Sequence, residues 1–161
     1  MAITVRAARA GDAHDIGRLA RHFAQYLSDL GDPTEFKLTA EAYVRDGFGL
    51  RPGFSGFVAE DGDKVIGYLL YHFGYDSDNA VRNLHVVDLY VEQEARRKRV
   101  GTALMKAAAE IAVKGRAEEL VWSVYNPNNL AASFSERLGA ERITEVFFMR
   151  LRADALKSGA H

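Results

Sequence analysis

The sequence predicts an α/β (α+β) domain: a mixed, mostly antiparallel sheet with helices on both faces. Residues 53–60 (GFSGFVAE) and 64–73 (KVIGYLLYHF) are strand-like runs joined by Asp61-Gly62-Asp63, and Asp-Gly between apolar runs is a strong hairpin signal. Residues 81–91 (VRNLHVVDLYV) form a third strand-like run rich in β-branched and aromatic residues. A helical pattern and another apolar run follow, and strand–helix–strand order adds a parallel pair to the antiparallel ones.

The elements follow in order. Residues 3–7 (ITVRA) read as a short strand. Gly11 or Asp12 then caps a helix in which Ile16, Leu19, Phe23, Tyr26 or Leu27, and Leu30 recur at helical spacing. Gly17 inside that helix costs about 1 kcal/mol relative to alanine. Gly31-Asp32-Pro33 ends it. A short helix runs from Thr39 to Phe48 with Ala42, Tyr43 and Phe48 facing inward, and the hairpin and third strand come next. Val100, Leu104, Ala107 or Ala108, and Ile111 mark an amphipathic helix closing near Gly115. A short strand is expected over 120–124, a helix over 130–138 ended by Gly139, and a last strand over 143–151. The expected domain spans 1–151, with a tail over 152–161 to which no function is assigned.

Composition limits the function classes. A chain of 161 residues supports one domain with a real core. The formal net charge is −1, so nucleic acid is not an expected partner and any basic site is local. The absence of cysteine removes disulfides, thiolate metal sites and a cysteine nucleophile. Histidines are scattered, so no metal is expected. No apolar run reaches membrane-spanning length and the N-terminus lacks a signal-peptide core, so the expectation is a cytoplasmic protein without a membrane partner.

One stretch concentrates chemistry. Arg96, Arg97, Lys98 and Arg99 lie between the 81–91 strand and the helix opening at Val100, Gly101 and Thr102. A basic turn feeding a helix N-terminus suits a phosphate, because unpaired N–H groups and the positive end of the helix dipole face the anion. A solvated basic turn is the plainer reading of the stretch alone.

Together with VVDLYVEQEARRKRVGTALM, the later run NNLAASFSERLGA resembles the GCN5-related N-acetyltransferase (GNAT) superfamily. The family's R/Q-x-x-G-x-G/A turn falls on residues 96–101, with Arg99 in place of the middle glycine. A side chain there is expected to need a negative φ. The second match places Asn128, Ala131, Phe134, Leu138 and Gly139 at family positions, with Ser135 where many relatives carry a tyrosine acid. Residues 67–91 look most like the diamine and polyamine acetyltransferase branch, which often has two adjacent acids where this chain has Val87-Asp88.

The resemblance implies a single GNAT-type domain that transfers an acetyl group from acetyl-CoA to a primary amine by direct attack. The acceptor is expected to be a small molecule: a diamine, a polyamine or an amino-acid-like amine. A protein lysine or N-terminal acetyltransferase, or an acetyl-CoA-binding module with little catalysis, are the alternatives. A homodimer is the family default. The backbone of residues 97–102 would cradle the pyrophosphate, with Arg96, Lys98 or Arg99 adding charge. Leu89, Tyr90 and Val91 would pair with the pantetheine arm, Asn128 would hydrogen-bond it, and Phe134 belongs to the same motif. The backbone at Leu89 and Tyr90 is the expected oxyanion donor. An amine arrives as ammonium with a pKa of about 10.4, so a base is needed. Asp88 is the candidate, or else a structural acid paired with Arg82. His85 has a suitable pKa, yet strand alternation puts it on the opposite face from Asp88 unless a bulge intervenes.

Overall fold

The computed structural model describes residues 2–158, in two compact units that meet at Asn129 and Leu130. The first holds β1 (Ile3–Ala7), α1 (Ala13–Asp29), α2 (Ala40–Gly47), β2 (Ser55–Asp61), β3 (Lys64–Asp76), β4 (Val81–Val91), α3 (Val100–Lys114) and β5 (Ala117–Val121). The five strands lie in sequence order; β1 to β4 are antiparallel and β5 runs parallel to β4.

Alternation sorts the strand residues onto two apolar faces. Val58, Tyr68, Leu70 and Tyr90 join Ile16 and Leu19 of α1 and Tyr43 of α2 in one core. On the opposite face Gly67 lies against Leu104 of α3, and Phe57 stacks on Tyr71 with ring centroids 5.5 Å apart. Helices thus cover both faces of the sheet. Arg6 ties β1 to the start of α1 by donating to both Asp12 oxygens at 2.8 and 3.0 Å and to Glu60 at 2.7 Å. Burial pushes the Asp12 carboxyl up, but Arg6 and the Arg9 N–H outweigh it and hold the group below its usual value.

Local signals place most boundaries. Gly62 turns the β2–β3 hairpin at φ 62°. Thr39 caps α2 by accepting from the Ala42 N–H at 3.1 Å. Gly17 has a packing reason as well as a helical cost: a Cβ there would meet the Ala40 nitrogen at 3.2 Å, so α2 packs directly on the α1 backbone.

Three expectations fail. Phe48 is 41% exposed; it follows the end of α2, and its ring lies tilted beside that of Tyr43 with centroids 5.2 Å apart. The strand expected over 120–124 lies earlier, at Ala117–Val121, because pairing with residues 82–85 of β4 decides which residues extend; the ladder takes in Ala117 and the polar Glu119, with Glu118 passed over at a register shift between them. Residues 143–151 form no strand. A strand exists only with a backbone partner, and none pairs with this segment among the described residues.

The second unit contains the rest of α4 (Asn129–Arg137) and α5 (Ala153–Lys157). Gly139, at φ 90°, ends α4 as expected, with the Ala140 N–H bonding back to Ser135. Residues 159–161 of the tail lie outside the described part. Among the described residues no helix is long and apolar enough to cross a membrane.

Candidate active site

β4 carries the site because it changes partners along its length. Its pairing with β5 ends at His85 opposite Val121, while its pairing with β3 continues to Val91. From Val86 to Val91 the edge away from β3 therefore has no strand beside it among the described residues. The Glu92 N–H donates to Ile66 of β3 at 2.9 Å, whereas the Val91 carbonyl accepts from Arg96 Nε at 3.1 Å. Polar groups of alternate strand residues share a side, so the Leu89 N–H points to the same open edge as Val91. Leu89, and not Tyr90, therefore turns its N–H to the open edge.

The required bulge is present. Leu70 pairs with Asp88 and Tyr71 pairs with Val86, leaving Val87 as an extra residue in β4. His85 then pairs with His72, and His85, Asp88 and Tyr90 all lie on the face of Tyr68 and Leu70, toward α1 and α2. The His72 and His85 rings stack with centroids 4.9 Å apart.

Burial dominates the electrostatics here. It pushes the Asp88 carboxyl up to about 7, against a weaker opposing pull from the Tyr68 hydroxyl. That hydroxyl is itself buried without a hydrogen bond of normal geometry. Arg82 is not a partner for Asp88: it pairs across the sheet with Tyr75 and Ala117, six residues along the strand. His85 is pushed down, first by burial and then by the neighbouring His72 charge. One face thus presents two proton-accepting groups, of which Asp88 titrates near neutrality.

The other strand aromatics separate by face. Tyr71 is buried against Phe57, and a Cβ on Gly115 at the end of α3 would strike Phe73 at 2.6 Å. Only Tyr68 joins Asp88. Asp76, the last residue of β3, accepts from the Asn79 side chain at 2.7 Å and from the Asp78 N–H at 2.9 Å, holding the turn that follows.

The basic turn divides its labour. Arg96 points inward, its guanidinium 4.9 Å from the Tyr26 ring and 5.6 Å from the Tyr90 ring. Lys98 lies 3.7 Å from Asp61. Arg97 and Arg99 are exposed. No side chain caps α3, whose first backbone bond runs from the Ala103 N–H to the Arg99 carbonyl at 3.0 Å. The N–H groups of Val100, Gly101 and Thr102 are therefore without intrahelical acceptors. The expected negative φ at Arg99 is wrong: it sits at φ 60°, the left-handed conformation natural to the family's glycine, and Arg97 is at φ 75°. The turn keeps its shape because the β4 exit and α3 entry fix it, at a cost of about 1–2 kcal/mol for a side chain in that region. Arg99→Gly is expected to stabilise the protein by about 1 kcal/mol, or a few degrees in Tm, read by thermal denaturation.

Asn128 is buried, and its Oδ1 accepts from the Tyr26 hydroxyl at 2.6 Å. This ties α1 to the segment leading into α4. Phe134 and Ser135 lie on α4 in the second unit, where the Ser135 hydroxyl donates to the Ala131 carbonyl at 2.8 Å, a common fate of a helical serine.

Sequence reasoning missed Glu92, which is 4% exposed. It forms an ion pair with Arg18, which also donates to the Val65 carbonyl at 2.8 Å, and lies 3.1 Å from Lys64. An acid directly after an apolar strand, with a lysine opening the strand beside it, was the available signal. These residues line a cleft of about 840 Å³ together with Asp15, His22, Asp61, Asp63 and Glu94. Asp88 and His85 are not among its walls, and two of its cations are already matched to Glu92. Its ion pairs hold the end of β4 against α1 and the start of β3.

The chain is 35% identical to a thialysine N-epsilon-acetyltransferase of Bos taurus, covering 89% of this chain and 86% of the bovine one. It is 33% identical to an L-ornithine N5-acetyltransferase of Arabidopsis thaliana over 58% of this chain and 41% of that one. An integron cassette protein from the mobile metagenome of V. cholerae shares the fold at a TM-score of 0.81 and 24% identity, over 99% of this chain and 98% of the other. The profile of the acetyltransferase (GNAT) family matches residues 19–140. A strand edge that opens toward an uncapped helix N-terminus is thus found in a chain that belongs to the acetyltransferase (GNAT) family.

Proposed function

We propose that this chain acetylates a primary amine on a small cationic, amino-acid-like molecule or polyamine, with acetyl-CoA as the acetyl donor. The observation that carries the reading is the open β4 edge running from Asp88 to Val91 and on to the uncapped start of α3. Relatives named as thialysine and L-ornithine acetyltransferases point to the acceptor class. Residues 1–151 are proposed to act as one catalytic domain, with 152–161 as a tail, in a cytoplasmic homodimer.

Acetyl-CoA supplies a thioester carbonyl; the amine nitrogen attacks it, a C–N bond replaces the C–S bond, and the thiolate leaves. The chain's residues do the rest. The N–H groups of residues 97–102 would hold the pyrophosphate, with Arg97 and Arg99 as exposed charges beside it. Val91 would bond the amide-rich arm once Arg96 yields its carbonyl, and the Asn128 side chain would bond the same arm. The Leu89 N–H would face the developing oxyanion. Asp88, ionised in part at neutral pH, would take the ammonium proton, with His85 as the next acceptor along the same face.

Acetyl-CoA should raise Tm, and thiol release should appear with at least one amine from a panel of diamines, polyamines and diamino acids. Binding without turnover on any amine would reduce the chain to a coenzyme-binding module. No thermal protection would overturn the coenzyme site. Ser135 is proposed to hydrogen-bond the sulfur, and Ser135→Tyr should then preserve or raise kcat. A folded variant with unchanged kinetics would remove Ser135 from the reaction.

A further inference from the structure

We propose that Tyr68 is a positioning residue of the reaction: its buried hydroxyl donates to the ionised Asp88 carboxylate and so keeps that acid available as a base at neutral pH. This rests on Asp88 acting as the base of the proposed acetyl transfer, and it gives a role to a core tyrosine that the transfer does not otherwise use.

Tyr68 pairs with Tyr90 and Leu70 pairs with Asp88, so Tyr68 and Asp88 are diagonal neighbours on one face of the β3–β4 ladder. Diagonal neighbours lie about 7–8 Å apart, within reach of an aromatic side chain. Tyr68 is fully buried in a core shared with Ile16, Leu19, Val58 and Val65. Phenylalanine would fill nearly the same space, and a hydroxyl taken out of water without an acceptor costs free energy. The Tyr68 hydroxyl lacks a hydrogen bond of normal geometry among the described residues. What it can reach therefore decides its use.

The other polar groups packed around this face are committed elsewhere. Tyr43 of α2 donates to the Arg9 carbonyl at 2.8 Å, and Tyr26 of α1 donates to Asn128 at 2.6 Å. Arg18 and His22 of α1 turn to Glu92. On β4 the Tyr90 hydroxyl faces Arg96, and the His85 ring lies against His72, four residues along β3 from Tyr68. That leaves Asp88. Burial first, then Asp88 and Tyr90, pushes the Tyr68 phenol well above its usual value, so it stays a donor wherever the reaction runs. Burial pushes the Asp88 carboxyl up to about 7, and the Tyr68 hydroxyl pulls it back, because a donor favours the charged form of its acceptor. A carboxylate has two oxygens, so one can hold the phenol while the other takes the ammonium proton.

Tyr68→Phe, with unchanged far-ultraviolet circular dichroism, should lower kcat/KM about fivefold at pH 7, and the gap should close to within about twofold by about pH 9.5. Both values follow if the Asp88 midpoint moves from about 7 to about 8. A loss that is equal at every pH marks a merely structural residue and overturns the proposal. The carbon-13 carboxyl signal of Asp88, assigned by its absence in Asp88→Asn, gives that midpoint without turnover. It should rise in Tyr68→Phe, and a midpoint unmoved from the parent's overturns the proposal. Replacing Tyr68 with 3-fluorotyrosine keeps the ring and strengthens the donor, so the midpoint should instead fall; a rise there also overturns it. A rate limb near pH 7 that survives in Asp88→Asn overturns the base and its positioning residue together. An unmoved midpoint, with that limb lost in Asp88→Asn, overturns Tyr68 alone.

Discussion

Asp88→Asn is expected to lower kcat/KM by about 10²–10⁴ at pH 8 and, at the same pH, to raise thermal stability. The opposed signs come from one cause. Burial lifts the folded-state pKa from 3.8 to about 7, so between those values the folded chain keeps a proton that the unfolded chain has released. The contribution of Asp88 to stability is therefore greatest below pH 4, falls as pH rises toward 7, and levels off above it. That difference corresponds to at most about 4 kcal/mol. Asparagine removes that penalty. It also removes the carboxylate whose formation should make activity climb with pH through about 7. Melts at pH 5 and 8, with the variant's advantage widening at the higher pH, check the first half. A kcat/KM profile whose limb near 7 disappears in the variant checks the second. If the limb survives, the base is elsewhere, with His85 the first to test.

Gly101→Trp should raise the acetyl-CoA KM by about 100-fold or more and abolish thermal protection by the coenzyme. The indole would occupy the space in front of the first turn of α3, where unsatisfied N–H groups await an anion. Binding to the remote phosphates is lost while the reacting groups on β4 are untouched, so kcat at saturation should change far less than KM. Tm without ligand should hold or rise slightly, since tryptophan is a better helix former than glycine. Steady-state kinetics over a wide acetyl-CoA range, alongside melts with and without coenzyme, would show this split. Unchanged kinetics would remove the phosphate from this turn.

Whatever local chemistry determines was legible in the sequence. The Gly62 turn, the Thr39 cap, the ends of α3 and the glycine stop after α4 each depend on residues within a few positions, and each was read correctly. The basic turn was found because its charges are contiguous. What was misread depends on distant partners. The limits of β5 follow its ladder with β4, which admits Glu119 against its own preference. Residues 143–151 have every local mark of a strand and lack only a neighbour. Arg99 was expected to avoid positive φ because a side chain is strained there, but the elements on either side impose the turn. The Asp88–His85 relation was open for the same reason: alternation counts residues, and a bulge is set by the partner strand.

That bulge has a consequence for how this strand can change. Val87 shifts β4 by half a period, so the residues before it and after it obey opposite inside–outside rules while belonging to one continuous strand. The half from Asp88 to Val91, which leads into the basic turn, can keep its arrangement while the half reaching back to Val81 changes its own residues. Deleting Val87 would leave every side chain on its present face, because His85 would then stand two residues before Asp88 and plain alternation would put both on one side. Exchanging Val87 for another residue keeps the offset, so it is the count of residues here, and not their identity, that sets where His85 points.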